Sequence, residues 1–164
     1  MNFSLEIGPH TNLETLPAIK DVYITFLPGG DFNETASKAN ELAKKGFNPI
    51  PHFPARSIKN DPQLKEYVSR CKDAGVKQAL VIGGSRDPVG DFDSSIQLLE
   101  TGYFEEMKIG IAGHPEGSPD ISDSKLEKAM KDKKPYADYI VTQWLMDPQL
   151  IIDFISKQSV PVHV

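Results

Sequence analysis

The sequence is short of the residues that would hold a chain together covalently or tie it to a metal. It has one cysteine, Cys71, in 164 residues. That excludes an internal disulfide and fits a reducing compartment. The apolar helical stripe on which Cys71 falls makes it a core thiol. Four histidines are present, but no two stand at i, i+4, so no metal centre is expected. A net charge of -5, with no dense Lys/Arg block beyond the short cluster Lys131 to Lys134, argues against a nucleic-acid or membrane-surface partner. The cluster itself reads as a solvated helix end. The amino terminus lacks a basic region followed by an unbroken apolar run, so neither a signal peptide nor a spanning segment is expected and the location is read as cytoplasmic.

What is present is a repeating alternation of strand and helix signals. Tyr139-Ile140-Val141 is an unbroken run of β-formers, as in a strand covered on both faces, and it ends on Thr142 and Gln143. Asp147-Pro148 then supplies an N-cap and a first helical position for an apolar helix reaching Ser156. Gln143 therefore sits at a strand-to-helix junction, where parallel α/β folds bind ligands. The plain alternative is a glutamine that only bonds loop backbone.

The same alternation runs through the chain. Phe3 to Ile7 reads as a strand closed by Gly8-Pro9, a helical connection lies near Asn12 to Leu16, and Val22 to Leu27 is a second strand stopped at Pro28-Gly29-Gly30. Asp31 and Glu34 have capping-box spacing before a helix ending at Gly46. Phe47 to Phe53 is extended and interrupted by prolines. A helix from Asp61-Pro62 turns Leu64, Tyr67, Val68 and Cys71 inward and ends at Gly75. Strands at Ala79 to Ile82 and Ile109 to Ala112 follow, with helices near Ser95 to Leu99 and Ser124 to Lys131, and Val160 to Val164 begins another strand. Seven strands and six crossover helices predict an α/β fold of the (β/α)8 TIM-barrel type, as a single domain over residues 1–164. An open doubly wound sheet is the alternative; no Gly-x-Gly-x-x-Gly follows the first strand, and polar residues gather after nearly every strand. The pattern stops inside its seventh strand. A truncated barrel exposes sheet edges, so either a fragment or a homo-oligomer or partner-completed barrel is expected.

The strand ends carry Glu6, Thr25, His52, Gly84-Ser85, His114-Pro115-Glu116 and Thr142-Gln143. In order and spacing this series, with Tyr-Ile-Thr-Phe-Leu-Pro-Gly, Pro-His-Phe-Pro-Ala-Arg and Thr-Gln-Trp-Leu-Met-Asp, resembles the methylenetetrahydrofolate reductase family, in particular its short bacterial flavin-dependent members. The resemblance implies a flavoprotein oxidoreductase of one-carbon metabolism and methionine biosynthesis. It would interconvert 5,10-methylenetetrahydrofolate and 5-methyltetrahydrofolate, with FAD as cofactor and NADH or NADPH as co-substrate. By the same resemblance Glu6 is the acid beside the folate and Gln143 a folate-binding residue, while Thr25, His52, Gly84, Ser85 and His114 contact FAD.

The chemistry agrees with those assignments. Opening a methylene bridge on nitrogen needs a proton, and a carboxyl part-buried at a strand end can hold one near neutral pH. An amide recognises a pterin edge without adding charge. Structural roles are the alternatives: a lysine-paired carboxylate for Glu6, and satisfied core positions for the histidines. The chain also departs from the family. Gly84-Ser85 stands for Gly-Asp, with Asp87 further on. His114 replaces a tyrosine, and Pro115-Glu116-Gly117-Ser118 stands for Pro-Glu-x-His. The lysine expected before strand six is one of Lys131, Lys133 and Lys134. Arg56 is read as a pyrophosphate partner or a surface residue. Two other readings remain: a non-catalytic folate- or flavin-binding subunit completed by a partner chain, and an unrelated barrel lyase or methyltransferase.

Overall fold

A computed structural model describes residues 3–164, which fall into two compact units, Met1–Lys108 and Ile109–Val164. In the first unit four strands, β1 (Ser4–Ile7), β2 (Asp21–Ile24), β3 (Asn48–Pro54) and β4 (Gln78–Ile82), pair in parallel, each with the next in sequence. Helices α1 (Phe32–Lys44) and α2 (Asp61–Asp73) form the crossovers, and α3 (Ser95–Leu99) follows β4. Sequential parallel pairing without a reversal of strand order is the barrel pattern, not that of a doubly wound sheet.

The helices begin where short polar side chains satisfy their first amides. Asp31 accepts from the backbone of Asn33 and Asn60 from that of Gln63, and both helices run out at left-handed glycines, Gly46 and Gly75. The expected box between Asp31 and Glu34 does not close: Asp31 takes a second bond from the Asn33 side chain, while Glu34 faces His10 at 3.5 Å. The reciprocal box forms instead between Ser94 and Gln97, ahead of α3.

The proline-interrupted segment is a seven-residue strand. Strand backbone groups alternate between the two neighbours, and the Asn48 amide donates to Lys20 on the β2 side. Pro49 and Pro51 therefore face β4, whose pairing begins only at His52. Their missing N–H groups break no ladder bond. Behind this strand lies the core: Phe53 meets Tyr67 at 4.1 Å between ring centroids and Phe104 edge-on at 5.0 Å. Leu42, Leu64 and Cys71 on the helices are buried as well, and Ile50 is buried on the opposite face of β3, with His52. Burial pushes the Cys71 thiol up to about 12, which makes it packing rather than a nucleophile.

In the second unit β5 (Lys108–Gly113), β6 (Tyr139–Thr142) and β7 (Val162–His163) are parallel and again in sequence order. Helices α4 (Asp123–Lys133) and α5 (Pro148–Ser156) connect them. Glycine is required on β5. A methyl at Gly110 would lie 2.6 Å from the Tyr139 ring, and one at Gly113 would lie 2.6 Å from Ile140. Asp147 caps α5 by accepting from the amides of Gln149 and Leu150.

The chain thus has an α/β fold of TIM-barrel type, with seven parallel strands among the described residues. Five of the six expected crossover helices form. The first is only a 3-10 turn, Leu13–Thr15, because Pro9 and Pro17 bracket a segment too short for an α-helix. No helix among the described residues is long and apolar enough to cross a membrane. Replacing Asp147 with Ala leaves two helix amides uncapped and is expected to cost about 1 kcal/mol in urea denaturation.

Candidate functional site

The register of the first unit lines up three of the residues singled out from the sequence. Glu6 is next to last on β1 and pairs with Tyr23, Thr25 follows β2, and His52 is the first β3 residue to pair with β4. The Thr25 hydroxyl donates to Glu6 Oε1 at 3.2 Å. His52 Nε2 stands 3.8 Å from Glu6 Oε2. That spacing is too long for a hydrogen bond, and the buried Nε2 has no hydrogen-bond partner. The edge of the Tyr23–His52 pair closes another side, with centroids 6.2 Å apart.

Exposure divides this trio. The His52 side chain is 8% exposed and that of Glu6 60%, so the expected part-burial of Glu6 is not seen. Its strand pairs through β2 only and carries an exposed, alternating face. For His52, burial pushes the imidazole below the usual histidine range, and the nearby Glu6 carboxylate partly opposes that.

Beyond β4, Gly84 adopts the left-handed region at φ 91. A side chain there would press on Pro54 at 3.3 Å, whereas a methyl on Gly83 would meet nothing within 4 Å. Gly84 is therefore spent on the turn itself, and Gly83 is the position beside open space. Ser85 is exposed. Arg56 is half-buried and holds this loop, donating from Nε to the Asp93 carbonyl at 2.9 Å and from Nη1 to that of Gly84 at 3.4 Å. An arginine read as a phosphate partner or a surface residue turns out to bind backbone, because β3 ends beside the loop that follows β4.

The second unit gathers a different set. His114 follows β5, and Gln143 follows β6 with its amide 3.4 Å from the Gly113 carbonyl. Thr142 carries a buried hydroxyl oxygen without a hydrogen-bond partner. Lys133, at the end of α4, is buried, and its Nζ lies 3.5 Å from the Ala112 carbonyl. Burial lowers the Lys133 ammonium below its ordinary range. The His114 imidazole is lowered first by burial and then by the Lys133 charge.

The lysine cluster is therefore not wholly a solvated helix end. Lys131 is exposed, Lys134 half-buried and Lys133 turned inward. The signal was available in the spacing, since Leu126, Met130 and Lys133 fall on one helical stripe.

Two groups satisfy the first requirement of a bound polar cofactor. His52 Nε2 is a buried ring nitrogen without a partner, and Gly83 borders open space. In the second unit, Lys133 offers a buried cation with a single long bond, suited to an anionic group. In chemistry the first pair suits the polar ring edge of a cofactor such as a flavin and the lysine an anionic group such as a phosphate, each within its own unit. A hollow of about 350 Å3 lies elsewhere in the first unit, lined by His10, Glu34, Lys38 and their neighbours, and holds none of these residues.

The strand order and the polar strand ends define a barrel-type α/β protein, the class in which such ends form active sites. Solved structures agree on the fold. 2,3-Dimethylmalate lyase, of the PEP mutase/isocitrate lyase superfamily, superposes with a TM-score of 0.67 at 8% identity, over 88% of this chain and 56% of that one. Oxaloacetate acetylhydrolase gives 0.62 at 12% identity, over 96% and 64%. At such identities the likeness is one of fold alone. No protein-family model matches the chain. Among curated proteins, Methylenetetrahydrofolate reductase 1 of Schizosaccharomyces pombe (strain 972 / ATCC 24843) is 33% identical over 152 residues, covering 83% of this chain. The chain spans about a quarter of the length of that relative, 25%.

Two outcomes follow from the buried groups. The unfolded chain binds a proton on His52 near the ordinary histidine value of 6.5, while the folded chain resists until lower pH. Unfolding therefore takes up protons, and stability present above that value should fall as pH drops below it. Thermal unfolding of His52→Gln should show a shallower decline over the same window. Lys133→Met removes a buried, poorly paired ammonium and should raise stability by roughly 1 kcal/mol, read by urea denaturation at neutral pH.

Proposed function

We propose that the chain belongs to a flavin-dependent oxidoreductase interconverting 5,10-methylenetetrahydrofolate and 5-methyltetrahydrofolate with NADH or NADPH. The observation that carries this reading is the convergence of Glu6, Thr25 and His52 at the strand ends of the first unit. The sequence likeness to a methylenetetrahydrofolate reductase supports it. When bound, FAD supplies reversible hydride transfer. His52 would hold the flavin through Nε2 beside Gly83, with Thr25, Gly84 and Ser85 at the neighbouring strand ends; in the second unit, Lys133 and His114 would suit an anionic group. Gln143 would hydrogen-bond the pterin.

Glu6 has the chemistry for the proton. One of its oxygens accepts from Thr25, which leaves the other, beside the imidazole, to carry or release a proton at the folate nitrogen. Thr25 ties that carboxyl to the strand end rather than letting it sweep through solvent. A carboxyl so placed would supply the proton that opening the methylene bridge demands.

A second reading is favoured by one feature. Trp144 is 88% exposed, Met146 81% and Ile152 57%, so much of the apolar surface of the second unit faces outward. A folate- or flavin-binding subunit completed by a partner chain, or a homo-oligomer, would cover it.

The visible spectrum of the purified protein, with and without added FAD, separates the two. A bound flavin that bleaches when 5-methyltetrahydrofolate is added without oxygen is the expected result. Absence of retained or added flavin overturns the catalytic reading in favour of the partner-completed one. With turnover in hand, Glu6→Gln should lower kcat about 10²- to 10⁴-fold.

A further inference from the structure

The surroundings of His52 contain one interaction that the proposed reaction does not use. β2 pairs with β3 only as far as Ile24 and Pro51. His52 directs its backbone groups to the β2 side, as Asn48 does. Its carbonyl therefore projects past the end of the neighbouring strand. A phenol fills the place: Tyr67 Oη, from α2, donates to the His52 carbonyl at 3.0 Å. The Tyr67 side chain is fully buried. A buried hydrogen bond thus runs from α2 to β3 and ends at the residue whose imidazole faces Glu6.

A buried phenol this deep in an aromatic cluster has no freedom to find another acceptor. The groups facing His52 are few. Glu6 comes from β1, Tyr23 and Thr25 from β2 and its end, Leu80 is its partner on β4, and Tyr67 comes from α2. Only Glu6 among them carries charge near neutral pH. The 3.8 Å spacing between Nε2 and that carboxylate has no hydrogen bond of its own to maintain it, so it must be set by the backbone of β3.

We propose that Tyr67 is a positioning residue: its bond to the His52 carbonyl fixes the imidazole at its spacing from the Glu6 carboxylate. The geometric claim stands without turnover; its meaning for proton delivery rests on the function proposed above.

The test is a double-mutant cycle read by NMR titration of the His52 ring in the intact chain, assigned with His52→Gln. In the wild type, Glu6→Gln should move the His52 midpoint down, since the carboxylate favours the charged imidazole. In a Tyr67→Phe background roughly half or less of that displacement should remain, because the pair is no longer held in one geometry. An equal displacement in both backgrounds overturns the proposal. Should Tyr67→Phe fail to fold, incorporation of 3-fluorotyrosine alters the donor strength of the same phenol: a changed displacement supports the proposal, and an unchanged one overturns it. The two readings fail separately. Turnover that survives Glu6→Gln removes the catalytic role and leaves the coupling, while a lost turnover with unchanged coupling removes Tyr67 and leaves the acid.

Discussion

The first unit depends on β3. Like β2 it has a partner on either side, it carries His52 on its β4-paired end, and its Phe53 joins the sheet to the aromatic cluster around Tyr67 of α2. Three prolines would ordinarily disqualify such a strand. Pro49 and Pro51 are tolerated because both lie on the side where pairing has not yet begun, Pro54 because it is the last residue, past the end of the pairing with β2, and the first two stiffen the segment that delivers His52. Moving that strand by one residue would send the imidazole to the opposite face and Phe53 out of the core.

Around this strand the unit mixes rigid and open features in a consistent way. Glu6 and His52 lie on paired strands, yet His52 Nε2 makes no hydrogen bond and the face of Gly83 borders open space. A folded chain does not usually leave a buried ring nitrogen without a hydrogen bond, since the desolvation is not returned. The second unit repeats the theme with Lys133, whose ammonium is buried for one long bond, and with the Thr142 hydroxyl.

Several elements were legible in the sequence because they depend on local chemistry. Asp147 and Pro148 announce α5, Gly46 and Gly75 end α1 and α2, and the unbroken run at Tyr139 marks β6. The candidate trio was legible because each member lies near the carboxyl end of a strand signal. Other features were not. Capping-box spacing pairs Glu34 with Asp31, but in the fold Glu34 faces His10 instead. The helical connection near Asn12 to Leu16 forms, but its prolines leave room only for a single 3-10 turn. Arg56 was read by its charge, whereas its position beside the loop after β4 gives it two carbonyls to bind.

Sequence by itself determined the strand and helix order, the barrel class, the core thiol and the residues at the strand ends, because periodicity, capping and turn chemistry act over a few residues. Tertiary structure decided which of three lysines turns inward, that Thr25 bonds Glu6, that Glu6 stays exposed while His52 is buried, and that Tyr67 reaches the His52 carbonyl. Those outcomes join residues far apart in the chain. Register and packing set them, and neither can be read from any one segment.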